Sequence, residues 1–146
     1  NIEFMQIEAQ KKNICLNAKV PYGTYVWADE NLLSTIFRNL ISNAIHYSFP
    51  GSEITISSKE KNSCIEVSVA DQGVGISEEN LKRIFSLDAK VQTKGTGNEK
   101  GTGLGLIITQ EFVSLHKGKI WVESIVNKGS TFIFTLQKFT EDDGAN

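Results

Sequence analysis

Residues 39–48 read NLISNAIHYS and complete a stretch that predicts one long helix, running from Asp29 to about Ser48. The Asp29 carboxylate can cap this helix by accepting hydrogen bonds from its first free amides. Asn39 and Asn43 share one helix face with His46 or Tyr47, because residues three or four positions apart lie above one another. Apolar side chains recur on a different face, at Leu33, Ile36, Phe37, Leu40 and Ala44. Asparagine is a mediocre helix former, so two on one face suggest a role other than helix stability.

Two interpretations of the asparagine face remain open at this point. One is an ordinary solvated polar surface. The other is a ligand site, since a carboxamide oxygen is a hard, neutral donor that suits Mg²⁺.

Strand patterns lie on both sides of this helix, in alternating or short apolar runs. They cover Ile14–Leu16 and Tyr25–Trp27 around the turn signal at 21–23, Ile54–Ile56, Ile65–Val69, and the pair Ile120–Ile125 and Thr131–Leu136. Further helices are predicted from Ser77 to about Phe85 and from Thr102 to about His116. Short turns between strands favour antiparallel pairing. We therefore expect an α+β fold, a two-layer α/β sandwich whose mixed, mostly antiparallel sheet is covered on one face by three helices.

A long segment without periodicity interrupts these elements. Residues 86–101 read SLDAKVQTKGTGNEKG and contain no adequate apolar set. Sixteen such residues inside a compact domain are unusual, and such loops are often functional lids.

The composition is that of an ordinary globular domain. The chain has 146 residues, 40% of them hydrophobic, and a net charge of -2 from 15 basic and 17 acidic side chains. This balance argues against nucleic-acid binding, and no apolar run is long enough for a membrane span. Cys15 and Cys64 lie in apolar runs, where we expect buried, reduced thiols. Neither has the spacing of a metal or redox motif.

Two glycine-rich segments carry further signal. Residues 71–76 read DQGVGI, in which Asp71 ends a buried strand and the glycines permit close backbone approach. Taken alone, this segment is a weak signal, because Asp and Gly favour an ordinary strand-to-helix turn as well. Residues 101–106 read GTGLGL and open a helix, where free amides and the helix dipole favour phosphate oxygens. The GxGxG spacing satisfies neither the dinucleotide nor the P-loop motif.

Together with Gly129-Ser-Thr-Phe132, these segments resemble in order the nucleotide-binding boxes of sensor histidine kinase catalytic domains. These domains belong to the superfamily shared with gyrase, HSP90 and MutL ATPases, whose Bergerat-type fold is the expected one. The resemblance runs from about Lys12 to Leu136 and implies that the cofactors are ATP and Mg²⁺.

The resemblance also implies a role for each site residue. Asn43 would chelate Mg²⁺, Asn39 would support the phosphates, and Asp71 would bind the adenine amino group. His46 stands where the family usually has Lys or Arg, which implies a weaker, pH-dependent phosphate contact. The base would also meet Tyr47, Gly73, Gly75, Ile76 and Thr131. The lid and phosphate cradle would use Lys94, Lys100, Gly101, Thr102, Gly103, Leu104 and Gly105.

Asn39 distinguishes the branches of this superfamily. The ATPase branches, which this helix resembles, place a glutamate there as general base, and a carboxamide has no useful basicity. A neutral imidazole needs less activation, so transfer of the γ-phosphoryl group to a histidine is favoured, with Asn39 and Asn43 as the catalytic pair. The alternative is a nucleotide-binding regulatory module without turnover.

The acceptor histidine is not expected within this chain. Its two histidines, His46 and His116, do not lie in phosphoacceptor surroundings. We expect the acceptor on a separate dimerisation domain of the same protein, and a response regulator receiver domain as the indirect partner. Residues 1–11 would end a preceding helix or linker, 12–138 would form the catalytic domain, and 139–146 a flexible tail. We expect a cytoplasmic, monomeric fragment without membrane contact.

Overall fold

The computed structural model describes residues 2–86 and 104–139. In chain order, its elements are α1 (Ile2–Lys11), β1 (Cys15–Lys19), β2 (Val26–Trp27), α2 (Glu30–Tyr47), β3 (Glu53–Glu60), β4 (Cys64–Ala70), α3 (Glu78–Leu81), α4 (Gly105–Leu115), β5 (Ile120–Ile125) and β6 (Gly129–Lys138). The predicted lid lies almost entirely outside the described residues. So do five predicted site residues: Lys94, Lys100, Gly101, Thr102 and Gly103.

The strands form one six-stranded mixed sheet. Its order is β1-β3-β4-β6-β2. Strands β5 and β2 both pair with the same edge of β6, β5 with its first half and β2 with its last residues. Only the β1–β3 pair among these strands is parallel. Strand alternation places one set of β4 side chains, Ile65, Val67 and Val69, in the core. The expected mixed, mostly antiparallel sheet is confirmed.

Helix α2 is the central element of the helical layer. Its apolar face is buried at Ile36, Leu40 and Ala44, as its spacing predicts, and also at Ile41 and Ile45. The Asp29 side chain accepts hydrogen bonds from the amides of Asn31 at 2.9 Å and Leu32 at 3.0 Å. The predicted cap and core face of this helix are therefore confirmed.

Helix α4 runs antiparallel to α2. Its first turn lies beside Asn39, whereas His116 at its end accepts a 2.9 Å hydrogen bond from the Asp29 amide through Nε2. The second ring nitrogen, Nδ1, lies 2.7 Å from the carbonyl oxygen of Phe112. This places the start of α4 near the middle of α2, next to the predicted ligand face.

Helix α1 packs into the same layer. Met5 and Ala9 are buried in the core, and the Lys12 ammonium donates 2.9 Å hydrogen bonds to the carbonyls of Ile45 and His46. These carbonyls belong to the last turn of α2, so the contact stabilises that helix end. The predicted domain boundary between residues 11 and 12 stays a prediction, although α1 shares the core of the domain.

Three expectations differ from the structure. Strands β1 and β2 do not pair around the turn at 21–23, because β1 joins β3 at one sheet edge and β2 joins β6 at the other. The predicted helix from Ser77 to Phe85 is helical only over Glu78–Leu81. The chain then tightens, with i to i+3 hydrogen bonds such as Ser86 to Arg83, and this turns Ile84 into the core.

The third difference concerns the cysteines. Cys15 is exposed and Cys64 is half-buried, rather than both being buried. Strand alternation explains this, because Ile14 and Leu16 point into the core and Cys15 points outward. Among the helices of residues 2–86 and 104–139, none is long and apolar enough to cross a membrane.

Candidate nucleotide site

The first part of the site lies where β4 ends beside β6. Asp71 is 8% exposed, and its Oδ1 accepts hydrogen bonds from the amides of Gly73 at 2.9 Å and Ser130 at 3.2 Å. The second oxygen, Oδ2, has no hydrogen-bond partner within the described chain and is not sealed from solvent. The protein thus holds the carboxylate by one oxygen and leaves the other for a ligand donor.

Burial also changes the proton affinity of this carboxylate. Desolvation raises the pKa of Asp71 to about 6, although the hydrogen bonds from Gly73 and Ser130 lower it in part. At neutral pH the group is therefore mostly ionised and is a strong acceptor. An amino group such as that of adenine is the complementary donor.

The glycines after Asp71 allow the chain to approach its neighbours closely. A Cβ on Gly73 would overlap the carbonyl oxygen of Tyr47, and one on Gly75 would overlap that of Ile125. Gly75 also has a φ of 73°, which other residues rarely adopt. The approach is reinforced by a 3.2 Å hydrogen bond from the Val74 amide to the Tyr47 carbonyl. The end of α2 and the loop after β4 therefore form one packed unit.

The remaining residues predicted at the base end lie around this unit. The Ile76 amide donates to the Ser124 hydroxyl at 2.7 Å, and Thr131 pairs with Ala70, directly before Asp71. Burial raises the pKa of the Tyr47 hydroxyl. His46 packs edge-to-face on Tyr47, with ring centroids 4.5 Å apart.

The second part of the site is where α2 meets the start of α4. The Asn39 amino group, Nδ2, lies 3.2 Å from both the Gly105 carbonyl and the Thr109 hydroxyl. Leu104, the residue before α4, is half exposed and provides no side-chain cap for that helix. The amides at this helix start, which no side chain of the described residues caps, favour negative charge.

Asn43 lies one turn beyond Asn39. Its side chain is half-buried and makes no hydrogen bond to any residue of the described ranges. Asn39 and Tyr47 are eight residues apart on α2, which corresponds to about 12 Å along the helix axis. The described site residues thus form a base end and a phosphate end joined by α2, with Asn43 between them.

Sequence patterns missed three polar side chains that support this arrangement. Ser124 and Ser130 have hydroxyls 2.7 Å apart, and the Ser124 hydroxyl donates to the Gly129 carbonyl. Thr109 is fully buried in α4. The available signal for Thr109 was its place directly after the apolar run Leu106–Ile108 and four residues before the apolar Val113, on the same helix face.

Comparison with known proteins identifies the family. Residues 28–140 match the family described as "Histidine kinase-, DNA gyrase B-, and HSP90-like ATPase". The chain belongs to this family. The expected fold and the resemblance to histidine kinase catalytic domains are thereby confirmed.

Individual relatives of this ATPase domain are sensor kinases. Sensor-like histidine kinase SenX3 of Mycolicibacterium smegmatis is 33% identical over 138 residues, which cover 94% of this chain and 36% of that protein. The chain thus spans about a third of the length of this curated relative.

Solved structures of histidine kinases share the fold. The catalytic domain of histidine kinase ThkA has a TM-score of 0.79 and 33% identity, covering 93% of this chain and 88% of that one. Full-length ShkA in complex with AMPPNP has a TM-score of 0.80 and 27% identity, covering 94% of this chain and 28% of that one. The ATPase domain family to which the chain belongs binds ATP.

Proposed function

We propose that this chain binds Mg·ATP and transfers its γ-phosphoryl group to a histidine carried elsewhere in the protein. The proposal rests on one observation: α2 joins a base end that suits adenine to a phosphate end that suits Mg²⁺ and phosphate groups. Asp71 presents a free acceptor oxygen at one end, and Asn39, Asn43 and the uncapped start of α4 lie at the other. The names of SenX3 and ThkA, both histidine kinases, support the same activity.

The base end would select adenine by its amino group. Asp71 Oδ2 would accept that hydrogen bond, while Oδ1 stays held by Gly73 and Ser130. A guanine base has a carbonyl oxygen at the corresponding position, which would face the carboxylate unfavourably. Adenine nucleotides should therefore bind more tightly than guanine nucleotides.

The phosphate end would bind the charge of the triphosphate. Asn43 would hold Mg²⁺ through its carboxamide oxygen, and the bound cation would neutralise developing charge on the phosphates. The free amides of α4 would orient the phosphate oxygens.

The acceptor would be a histidine because the site lacks a general base at position 39. The Asn39 carboxamide cannot take a proton from water or from a serine hydroxyl. A phosphoacceptor and dimerisation domain of the same protein would provide the imidazole, and a response regulator receiver domain would take the phosphoryl group from it.

The decisive experiment combines binding with transfer. ATP and its non-hydrolysable analogue are titrated by calorimetry with and without Mg²⁺, and labelled ATP is then incubated with a supplied acceptor domain of a related kinase. We expect Mg²⁺-dependent binding and acid-labile label on the acceptor. Binding without transfer to any acceptor would favour a regulatory module instead, and no binding would refute the proposal.

A further inference from the structure

The Asn39 side chain is held by helix α4 through its amino group. Nδ2 donates to the Gly105 carbonyl and to the Thr109 hydroxyl, each at 3.2 Å. Thr109 in turn donates its own proton to the Gly105 carbonyl at 2.7 Å. These three groups form a closed hydrogen-bonded set between α2 and α4, and Thr109 is fully buried within it.

The hydrogen-bonding chemistry defines how the Asn39 carboxamide is oriented. A carbonyl oxygen only accepts, so the Gly105 carbonyl requires a donor. The Thr109 hydroxyl has given its one proton to that carbonyl, and it can therefore only accept from Asn39. Both neighbours therefore accept from the amino group of Asn39. If the nitrogen and oxygen of the Asn39 carboxamide exchanged places, its oxygen would face these two acceptors.

The carbonyl oxygen of Asn39 consequently remains for a ligand. Oδ1 makes no hydrogen bond to the residues that the structure describes, and it is not sealed from solvent. It lies beside the first residue of α4, since a Cβ on Gly105 would be 3.8 Å from it. An oxygen that only accepts cannot donate to a phosphate, so its natural partner is a water bound to a cation.

We propose that Thr109 is a positioning residue, which orients Asn39 so that its carbonyl oxygen faces the hydrated cation of the nucleotide. This inference rests on the proposed function. It also refines the expectation that Asn39 supports the phosphates, because its amino group is already committed to α4. Thr109 touches neither nucleotide nor metal and acts through Asn39.

The Thr109 hydroxyl is not required for packing the two helices. Apolar residues of both helices, among them Phe37, Leu106 and Val113, already pack into the shared core. A valine would occupy nearly the same volume as Thr109 without its hydroxyl. In that variant the Gly105 carbonyl still accepts from Asn39, but the second hold on the carboxamide is lost.

The test uses three variants of the whole chain. Thr109→Val removes the hydroxyl, and Thr109→Ser keeps it with one methyl fewer. Thr35→Val is the matched control, because the Thr35 hydroxyl also donates to a carbonyl four residues earlier, that of Asn31 at 3.1 Å, and is not hydrogen-bonded to Asn39.

Two quantities are measured for each variant. The first is the hydrogen-exchange rate of the Asn39 side-chain amino protons by NMR, with the exposed Asn62 as reference. The second is the Mg²⁺ increment, the ratio of the ATP dissociation constants without and with Mg²⁺. A purely structural loss would lower thermal stability without changing this ratio in the folded protein.

We expect Asn39 protons in the parent to exchange more slowly than those of Asn62. Thr109→Val should accelerate their exchange and lower the Mg²⁺ increment by roughly three- to tenfold, the loss of about one hydrogen bond. Thr109→Ser should retain most of both properties, and Thr35→Val should match the parent.

Two outcomes would overturn the positioning role. One is that the Asn39 side-chain protons of the parent exchange as fast as those of Asn62. This measurement does not depend on the folding of any variant. The other is a Thr109→Val protein that keeps the full Mg²⁺ increment. If the parent does not bind nucleotide, the proposed function is refuted. The positioning role is then refuted as well, even if slow exchange of the Asn39 protons shows that Asn39 contacts α4.

Discussion

Asn43 occupies the position on α2 from which a side chain can reach a metal without disturbing the core. It lies between Leu40 and Ala44, which are buried, yet its own side chain is half-buried and free of hydrogen bonds within the described ranges. Asn43→Ala should therefore leave the free energy of unfolding nearly unchanged while removing the carboxamide ligand. We expect ATP affinity to fall chiefly in the presence of Mg²⁺, and phosphotransfer to be lost.

Calorimetry with and without Mg²⁺ measures this effect, and urea denaturation measures stability. Asn62→Ala, at an exposed position in the turn after β3, is the matched control and should behave as the parent. Full phosphotransfer by Asn43→Ala at limiting Mg²⁺ would place the metal on other residues.

Asp71 should make nucleotide binding depend on pH. The pKa of this carboxyl is raised to about 6 by burial, so acidification below pH 6 protonates the acceptor that the adenine amino group needs. Affinity should fall as the pH decreases from 7 to 5. Because the phosphates of ATP also titrate, the informative quantity is the ratio of parent to Asp71→Asn affinity at each pH.

Asp71→Asn can keep Oδ1 for the amides of Gly73 and Ser130, and it then presents an amino group to the base. The resulting mismatch should weaken ATP binding by about 1–3 kcal/mol at neutral pH. The parent-to-variant ratio should shrink as the parent protonates. A ratio near one at pH 7, measured by calorimetry, would remove Asp71 from the base end.

The raised pKa of Asp71 affects stability in the opposite direction, because acidification weakens nucleotide binding but stabilises the folded state. A carboxyl whose pKa rises from 3.8 to about 6 on folding binds its proton more tightly in the folded state. Its contribution to the free energy of unfolding is fully present below pH 4 and is lost as the pH rises through 6. Burial of Asp71 therefore costs stability at neutral pH, where its ionised form is needed for function.

At the level of elements, the contact between α2 and the loop after β4 depends on Gly73. A methyl group there would overlap the Tyr47 carbonyl, which also accepts the Val74 amide. Gly73→Ala should destabilise the protein by about 1–3 kcal/mol, as overpacking of a close contact does. It should also weaken nucleotide binding, because the end of α2 moves relative to Asp71.

Gly105→Ala is the matched control for that substitution. Its Cβ would meet Asn39 at an ordinary 3.6 Å, and alanine favours the helix that begins there. Chemical denaturation should show this variant to be at least as stable as the parent. Equal stability of Gly73→Ala and the parent would mean that the close approach is not rigid.

At the scale of the whole molecule, both histidines are unsuited to accept a phosphoryl group. His116 uses both ring nitrogens, one with Phe112 and one with Asp29, and His46 is packed against Tyr47 within the site. The chain incubated alone with labelled ATP should therefore acquire no acid-labile label. Added acceptor domain should become labelled in the same mixture.

Acid-labile label on the chain alone would contradict this expectation. His116→Gln and His46→Gln would then identify the modified ring. Gel filtration of the same sample tests whether the chain is a monomer, as we expect if dimerisation belongs to a separate domain.

Much of the fold could be predicted from the sequence because its signals are local. The three-to-four spacing of apolar residues in α2 and the alternation in β4 express which face of each element is buried. The cap at Asp29 is equally local, since its partners follow within three residues. The ordered glycine and asparagine segments were sufficient to indicate the family.

Only the tertiary structure decided which elements and groups meet. The partners of β1 and β2 could not be predicted from the turn between them, because strand pairing depends on residues far away in the chain. The Asn39 orientation likewise depends on Gly105 and Thr109, which are 66 and 70 positions away. The raised pKa of Asp71 follows from desolvation by burial, which outweighs the lowering effect of the hydrogen bonds from Gly73 and Ser130. Burial is a property of the packed chain rather than of the DxGxG motif. The periodicity of apolar residues can be recognised within a short stretch of sequence. The distances between groups, their burial and the direction of their hydrogen bonds are defined only once distant segments have come together.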